Sequence, residues 1–258
     1  MSNNKPKVIL LVAGEGKRLH PYTLDKPKCM VQIDGISLID RQLAVLKAEG
    51  LNDIVMIGGY KSEMLARDGI KLKNNSRYFE TNMVWTLFCA EEELEGEVII
   101  SYGDIVYSRH VLQTLLKSTA DIAVAIDKEW KDYWSSRSDN LLDDVETLKL
   151  SKDGTISEIG QKPKSLDDIE GQYMGLMKFS PDGVNQIKKI FHAALKSGKL
   201  LQKSAENAYM TDLLQAVIDF GKPIMSVPIY DNWIEVDTVD DLESKTTLSR
   251  IKLISKQI

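Results

Sequence analysis

The sequence has few of the residues on which disulfide frameworks and metal clusters depend. Its 258 residues include only two cysteines, Cys29 and Cys89, and three histidines. These numbers exclude a disulfide framework, a zinc ribbon and a histidine-rich metal cluster. No apolar run approaches the roughly 18 residues of a membrane span, and the polar segment 1–7 lacks the apolar stretch of a signal peptide. We therefore expect a reduced, cytoplasmic protein with no membrane partner.

Positive charge is in slight deficit across the chain. Lys and Arg number 33 and Asp and Glu 38, which gives a formal net charge of −5 at pH 7. This balance disfavours general binding to nucleic acid, so we expect no nucleic-acid partner. Hydrophobic residues make up 43% and charged residues 28% of the chain, a globular composition that excludes wholesale disorder. Any phosphate ligand must therefore be held by a few concentrated basic residues.

Strand and helix patterns alternate through the first half of the chain. A helix capped by Ser37 and ended by Gly50 carries apolar residues at three- and four-residue spacing. Alternation of buried strands with helices predicts an α/β fold with a doubly wound, mostly parallel sheet. The runs with the composition of strands buried on both faces are residues 8–13, 53–58, 98–102 and 121–127.

The pattern changes in the second half. Residues 152–154, Lys-Asp-Gly, form a strong hairpin-turn signal between strand-like runs at 145–150 and 155–159. A further strand-like run covers 173–179. We interpret these runs as a small antiparallel insertion or lid on a single domain that spans residues 1–258. The main part of that domain would be about 7–127 and 224–248, and the insertion about 128–223.

The loop after the first strand concentrates positive charge next to two glycines. Lys17, Arg18, Lys26 and Lys28 lie within twelve residues. Glycine lets the backbone approach a ligand and turn its amides towards anionic oxygens, and several cations suit a triphosphate. The loop lacks the Gly-Lys-Ser/Thr of a P-loop and the third glycine of a dinucleotide fingerprint. A solvated basic loop remains the alternative if glycine and lysine are considered alone.

Residues 13–23, followed by Pro27 and Lys28, resemble the signature of nucleotide-diphospho-sugar type nucleotidyltransferases, Ala-Gly-x-Gly-x-Arg-Leu-x-Pro-x-Thr and then Pro-Lys. The resemblance implies a Rossmann-like, GT-A-like fold that transfers a nucleoside monophosphate from an NTP to a phosphorylated acceptor and releases pyrophosphate. It implies that Arg18 and Lys28 are catalytic residues that neutralise the triphosphate. The nucleotide-binding residues that it implies are Val12, Ala13, Gly14, Glu15, Gly16, Lys17, Asn82 and Gly103.

Two aspartates follow apolar strand-like runs. Asp104 comes after residues 98–102, and Asp237 ends the segment 233–237. Ligands bind at the strand ends of open α/β sheets, and carboxylate oxygens suit Mg²⁺. Both positions match the family's metal-binding aspartates, so the resemblance implies Mg²⁺ as cofactor. Either aspartate taken alone would also fit a turn or a helix cap.

Looser matches place the chain closest to the choline-phosphate and phosphonate cytidylyltransferase branch. Residues 81–88 resemble an Asn-containing helix start in those enzymes. Trp130, Trp134, Arg137 and the acidic segment 143–146 resemble a Trp-x₃-Trp-x₂-Arg and acidic pattern. The tryptophans share a face if helical and would attract an ammonium group, while Arg137 would take the acceptor phosphate. Core packing is the alternative for both tryptophans.

Four more acceptor-binding candidates follow from the same family. Lys162 corresponds to the Lys of a Glu-Lys-Pro segment, although Gln161 stands where Glu is usual, and a solvated hairpin lysine is the alternative. Tyr173 and Gly175 resemble the family's glycine-containing acceptor strand. Asp212 could pair with a cationic amine, and its alternative is a surface helix acid.

The resemblance thus implies a Mg²⁺-dependent cytidylyltransferase that transfers CMP from CTP to a small amino-bearing phosphate or phosphonate. Phosphocholine, 2-aminoethylphosphonate and a phosphorylated amino acid all remain open as acceptors. One alternative is a sugar-1-phosphate thymidylyl- or uridylyltransferase, and another is a non-catalytic nucleotide-binding homologue. The expected partners are CTP or another pyrimidine NTP and the acceptor, with a homodimer as a further possibility.

Overall fold

The structure is a computed structural model that describes residues 5–137, 141–142 and 145–256. Its strands are β1 (Lys7–Val12), β2 (Gln32–Ile33), β3 (Ile36–Ser37), β4 (Ile54–Gly58), β5 (Lys71–Asn74), β6 (Val98–Tyr102), β7 (Ile105–Tyr107), β8 (Ile122–Asp127), β9 (Leu148–Leu150), β10 (Ile156–Ile159), β11 (Gln172–Phe179), β12 (Met225–Ile229) and β13 (Trp233–Glu235). Its α-helices are α1 (Leu38–Ala48), α2 (Met83–Phe88), α3 (Arg109–Leu116), α4 (Trp130–Ser135), α5 (Pro181–Ser197), α6 (Met210–Asp219), α7 (Val239–Glu243) and α8 (Lys245–Ser255).

A seven-stranded sheet in the order β12-β8-β11-β6-β1-β4-β5 forms the centre of the molecule. β1 pairs in parallel with β4 and β6, β4 with β5, and β12 with β8. Alternate residues of β1 point into hydrophobic clusters on opposite faces of the sheet, with Val8 and Leu10 in one cluster and Ile9 and Leu11 in the other. Helices cover both faces, so the prediction of a doubly wound, mostly parallel α/β sheet is confirmed.

The predicted lid is only partly separate from this sheet. β9 and β10 form a small antiparallel hairpin outside it, as expected. The run at 173–179, however, belongs to β11, which lies inside the central sheet and pairs antiparallel with β6 and with β8. Met177 and Phe179 of β11 are fully buried. The segment 128–223 is therefore not an independent insertion, because one of its strands completes the hydrogen bonding of the main sheet.

Side-chain caps define several helix starts. The Ser37 hydroxyl accepts a hydrogen bond from the Asp40 amide at the start of α1, as the sequence predicts. The Thr238 hydroxyl accepts one from the Asp241 amide at the start of α7. Within the described residues, no helix combines the length and apolar composition needed to cross a bilayer.

A two-stranded ribbon beside the sheet brings distant residues together. β7 pairs antiparallel with β13, which sets Glu235 opposite Ile105. The Val236 amide then donates a hydrogen bond of 3.0 Å to the Asp104 carbonyl. This pairing places Asp104, at the carboxyl end of β6, next to the carboxylates that end β13.

Candidate active site

The loop after β1 folds back so that Lys28 packs against Gly16. Gly16 has φ 72°, and a Cβ at this position would lie 3.0 Å from the Cβ and Cγ atoms of Lys28. The Lys28 amide donates to the Gly14 carbonyl at 3.2 Å, and the Thr23 hydroxyl donates to the Gly16 carbonyl at 2.7 Å. Glycine is needed at position 16 both for its left-handed backbone and for the room that it leaves. The loop thereby fixes where the Lys28 side chain points.

The Lys28 ammonium bridges the two aspartates that the sequence singled out. Its Nζ donates a 2.6 Å hydrogen bond to Asp104 Oδ2 and a second hydrogen bond to Asp237 Oδ1. Burial alone would lower the pKa of Lys28, but the charges of Asp104 and Asp237 raise it above its ordinary value. Burial opposes ionisation of Asp237, yet Lys28 holds the pKa of that carboxyl below its usual range. The cation and the anions therefore stabilise one another in their charged forms.

Arg18 approaches the same carboxylate group from the solvent side. Its Nη2 lies 3.3 Å from Asp237 Oδ2, and its side chain is 61% exposed. Lys28 by contrast is 15% exposed. The two cations thus present one inner and one outer positive charge around Asp237, as binding of an anion with several charged oxygens requires.

A third carboxylate, Glu235, completes the acidic group. One oxygen from each of Asp104, Glu235 and Asp237 lies within 4.8 Å of the others. Burial raises the pKa of Glu235 to about 7, and the charge of Asp237 acts in the same direction. Three carboxylates this close repel one another unless cations are bound between them.

This acidic group has the chemistry of a divalent-cation site. Asp104 Oδ1 is buried and, among the described residues, has no hydrogen-bond partner. An unpartnered buried carboxylate oxygen is costly, because it has lost water without gaining another partner. Hard oxygen ligands are the ones that Mg²⁺ and similar ions prefer. Asp104, Glu235 and Asp237 therefore fit a divalent ion, and they would hold it.

Two cavities meet at this group of charges. The glycine-loop cavity, about 290 Å³, is lined by residues 11–14, Lys28, Cys29, Tyr78, residues 81–83, Thr86 and residues 102–104. The second cavity, about 390 Å³, is lined by Arg18, Met83, Tyr102, Trp134, Val145, Glu146, Lys162, Gln172, Tyr173, Tyr209, Thr211, Glu235 and Asp237. Lys28 and Asp104 face the first cavity, while Arg18, Glu235 and Asp237 face the second. The arrangement can hold two anionic ligands with their phosphates at the boundary.

Comparison with known proteins decides the family. Residues 8–166, more than half of the chain, match the MobA-like NTP transferase domain. The chain belongs to this family. It is 39% identical over 246 residues to the CTP:phosphoglutamine cytidylyltransferase of Campylobacter jejuni subsp. jejuni, with 91% of this chain and 97% of that protein covered. It is 34% identical over 117 residues to the choline-phosphate cytidylyltransferase of Streptococcus pneumoniae, with 44% of this chain and 51% of that protein covered.

A solved structure extends the comparison to the fold. The inositol-1-phosphate CTP transferase from T. maritima superposes with a TM-score of 0.73 at 22% identity, with 95% of this chain and 96% of that chain covered. The expected nucleotidyltransferase fold is confirmed. The sequence matches make the chain a nucleotidyltransferase of the branch that contains the cytidylyltransferases.

The structure brings most of the predicted nucleotide-binding residues to the glycine-loop cavity. Five line it: Val12, Ala13, Gly14, Asn82 and Gly103. The remaining three, Glu15, Gly16 and Lys17, line neither cavity. Glu15 and Lys17 form an ion pair at 3.6 Å in which Lys17 is 76% exposed, and Gly16 makes room for Lys28. For these three, the structure supports a part in shaping the loop rather than contact with the cavity.

Of the predicted acceptor residues, Trp134, Lys162 and Tyr173 line the second cavity. Lys162 Nζ donates a 2.8 Å hydrogen bond to the Leu142 carbonyl. The Tyr173 ring lies edge-on to the Tyr102 ring, with centroids 5.7 Å apart. The acidic segment 143–146 lies partly outside the described residues, and its two described members, Val145 and Glu146, line the same cavity.

Two of the predicted acceptor-binding residues on the α4 side, Trp130 and Arg137, do not line the second cavity. Trp130 is 2% exposed, belongs to the hydrophobic core and borders a different groove with Lys128 and Glu170. Helix α4 turns Trp134, but not Trp130, towards the second cavity.

Arg137 does not present its guanidinium to an acceptor phosphate. Its Nη1 donates to Glu235 at 2.8 Å, and its Nε and Nη2 donate to the two oxygens of Asp241 at 2.8 and 3.1 Å. Burial would lower the pKa of Arg137, but the charge of Glu235 and the hydrogen bonds to Asp241 raise it above its ordinary value. Arg137 therefore orients Glu235 and supports the segment that carries Asp237.

Gly175 and Asp212 are also placed differently from the prediction. Gly175 has φ 74°, and a Cβ there would lie 2.6 Å from the Tyr102 ring, so the glycine lets that ring pack against β11. Asp212 is 6% exposed and accepts hydrogen bonds from the Tyr209 amide and from Lys203 Nζ, both at 2.7 Å. Neither residue lines the second cavity. Asp212 does pair with an amine, but that amine belongs to the protein.

Sequence reasoning missed Glu235 and Gln172. Glu235 precedes Asp237 by two residues, and side chains two apart on an extended segment point to the same side, so this spacing could have identified it. No comparable signal marks Gln172, which directly precedes the predicted Tyr173 at the start of β11.

Proposed function

We propose that this protein transfers CMP from CTP to a small phosphorylated amino acid of the phosphoglutamine type, with Mg²⁺ as cofactor. The observation that carries the proposal is the position of Lys28, Arg18 and three carboxylates at the boundary of two cavities. The proposal includes a cytoplasmic location, in keeping with two free cysteines. We also propose that neither nucleic acid nor a membrane takes part in this activity.

The two cavities would divide the substrates between them. The base and ribose of CTP would lie in the glycine-loop cavity, with the triphosphate reaching Lys28 and Arg18. An oxygen of the acceptor phosphate would attack the α-phosphorus from the second cavity. That attack forms one phosphorus–oxygen bond and breaks the bond between the α-phosphorus and the bridging oxygen, so that pyrophosphate leaves with the bond's electron pair. Little covalent chemistry is required of the protein, and positioning with charge neutralisation supplies most of the catalysis.

The charged residues have separable parts in this scheme. Lys28, held by Asp104 and Asp237, would offer a fixed ammonium to the triphosphate without needing to move far. Arg18 is exposed and would close on the outer phosphates when CTP binds. A divalent ion held by Asp104, Glu235 and Asp237 would supply Lewis-acid stabilisation of charge on the phosphates.

The acceptor assignment rests on the full-length relative. The phosphoglutamine enzyme matches almost the whole of both chains, whereas the choline-phosphate enzyme matches about half of each. The second cavity also carries polar groups of several kinds, including Lys162, Gln172 and Thr211. These groups suit an acceptor with several hydrogen-bonding atoms better than one whose charged end is wrapped in methyl groups.

A substrate matrix tests the proposal. Pyrophosphate release is measured with CTP, UTP and TTP, each combined with phosphoglutamine, phosphocholine, 2-aminoethylphosphonate or glucose 1-phosphate, with and without Mg²⁺. We expect the highest kcat/KM for CTP with phosphoglutamine and none without the divalent ion. A preference for UTP or TTP with the sugar phosphate would instead establish the sugar-1-phosphate alternative. Binding of NTP without turnover of any acceptor would establish a non-catalytic homologue.

A further inference from the structure

We infer that Gln172 is a specificity-determining residue. Its carboxamide would donate one hydrogen bond to the phosphorylated substrate and accept another from it. The inference rests on the proposed function and concerns one side of the second cavity. It selects acceptors with amino-acid or amide ends over quaternary ammonium acceptors.

The position of Gln172 points to a ligand contact. It is the first residue of β11, where its backbone pairs with Asp127 of β8. Gln172 is only 4% exposed, yet it lines the second cavity together with Trp134 and Glu235. The little surface that Gln172 retains is therefore surface of the cavity.

The carboxamide of Gln172 has no hydrogen-bond partner within residues 5–137, 141–142 and 145–256. Among the described residues, no side chain or backbone group forms a hydrogen bond with its side-chain oxygen or nitrogen, in contrast to the nearby buried acid Asp127, which accepts from Trp233 Nε1 at 3.0 Å. Buried polar groups are almost always hydrogen-bonded, because an unmade hydrogen bond leaves the cost of desolvation uncompensated. Neither amide atom of Gln172 is among the fully buried, unpartnered side-chain atoms of the described residues, so both keep some accessible surface. At this cavity wall the carboxamide is therefore open to a ligand or to ordered water.

The backbone around Gln172 holds it firmly in this position. A Cβ at Gly171 would lie 3.1 Å from Ile126 Cδ1 and 3.3 Å from the Asp127 carbonyl, so the chain enters β11 in close contact with β8. The pairing of β11 with β8 then shifts register between Tyr173 and Met177. Bulges of this kind redirect side chains and are common beside active sites. The carboxamide is therefore presented on rigid sheet rather than on a loop.

The chemistry of a carboxamide determines which acceptor it favours. Its oxygen accepts and its nitrogen donates, so full satisfaction requires a partner that does both. An amino-acid end supplies an ammonium and a carboxylate, and an amide end supplies N–H and C=O. The trimethylammonium of phosphocholine supplies neither, and the ammonium of 2-aminoethylphosphonate supplies donors only. A site built to hydrogen-bond its substrate rejects analogues that lack the complementary groups.

The test compares Gln172→Met, which keeps the length of the side chain, with Gln172→Glu, which keeps an acceptor but removes the donor. Gln186→Met, on α5 outside both cavities, controls for the substitution itself. Melting temperature verifies folding, and KM and kcat are measured for CTP, phosphoglutamine and phosphocholine. We expect both Gln172 variants to raise KM for phosphoglutamine roughly tenfold to hundredfold, as loss of a buried hydrogen-bonded pair implies. KM for CTP and kcat/KM for phosphocholine should change less than about threefold.

The outcomes separate this inference from the proposed function. Unchanged KM for phosphoglutamine in both variants, or equal losses with both acceptors, would overturn the role of Gln172 while the cytidylyltransferase function stood. Wild-type protein that uses CTP but prefers phosphocholine would overturn the inference and the proposed amino-acid acceptor, while transfer of CMP from CTP stood. Wild-type protein that releases no pyrophosphate from CTP with any of these acceptors would overturn both.

Discussion

The Lys28 ammonium lies 2.6 Å from Asp104, although 76 positions separate the two residues in the chain. Lys28 lies on the loop that follows β1, and Asp104 follows β6, the neighbouring parallel strand. The carboxyl ends of parallel strands meet at one edge of a sheet, which is where α/β proteins bind their ligands. A cation and a carboxylate are therefore held together at the edge where both cavities open.

Removing the negative charge of the acidic group should abolish turnover without unfolding the protein. We expect Asp104→Asn, Asp237→Asn and Glu235→Gln each to lower kcat at least about a hundredfold, because each replaces a charged carboxylate ligand of the divalent ion by a neutral amide. Pyrophosphate release measures the loss, and circular dichroism verifies the fold. Asp240→Asn, an exposed acid on α7, is the matched control. Activity close to wild type in any of the three variants would remove that carboxylate from the metal site.

Lys28 and Arg18 should behave differently because they differ in burial. Lys28→Met leaves Asp104 and Asp237 without their shared cation, so we expect both a lower melting temperature and a large fall in kcat. Arg18 is 61% exposed, so Arg18→Met should raise KM for CTP roughly tenfold with little change in melting temperature. Thermal melts and initial rates measure both effects. Equal destabilisation by the two substitutions would contradict this division of roles.

Arg137 should prove to be a positioning residue that stabilises the fold. Arg137→Met removes the cation from two acids, of which Asp241 is 5% exposed, and removal of one partner from a buried ion pair costs about 3–5 kcal/mol of unfolding free energy. Urea denaturation measures this cost. Arg137→Lys should recover part of the stability, because lysine keeps the charge but loses the two-pronged contact with Asp241. If Arg137→Lys instead raised KM for the acceptor with unchanged stability, Arg137 would be an acceptor ligand after all.

The two tryptophans of α4 should differ in role: Trp130 should stabilise the fold, and Trp134 should contribute to acceptor binding. Trp130→Ala should lower the unfolding free energy by about 3–5 kcal/mol, the usual cost of emptying a core site. Trp130→Phe should retain most of the stability, with KM for the acceptor unchanged. Trp134→Phe should raise KM for the acceptor, because Trp134 lines the second cavity. An acceptor KM that responds to Trp130→Phe but not to Trp134→Phe would reverse the assignment.

Much of the fold and the centre of the site could be predicted from the sequence. Continuous apolar runs mark parallel strands, since only strands buried on both faces lack polar alternation. Asp104 could be located because ligands bind at the carboxyl ends of parallel strands. Asp237 follows β13, which pairs with β7 outside the central sheet, so its position was implied by the resemblance to the family. Lys28 and Arg18 could be identified because their spacing from Gly14 and Gly16 matches the family signature.

The remaining features depend on tertiary contacts that leave no local pattern. Trp130 and Trp134 share a short helix, and only the packing of α4 against the core decides which one meets the cavity. The role of Arg137 is set by Glu235 and Asp241, both about a hundred positions away. β11 resembles a strand of the lid in sequence, and its place in the main sheet follows from pairing with β6 and β8.

Phosphorus NMR of the complete reaction tests the central claim most directly. Wild-type protein is incubated with CTP, phosphoglutamine and Mg²⁺, and the resonances of CTP, pyrophosphate and products are integrated over time. We predict one pyrophosphate for each CDP-linked product, whose two coupled phosphorus signals appear only when the acceptor is present. Pyrophosphate that forms at the same rate without phosphoglutamine, or CTP that remains intact in the complete mixture, would contradict transfer of CMP between the two cavities.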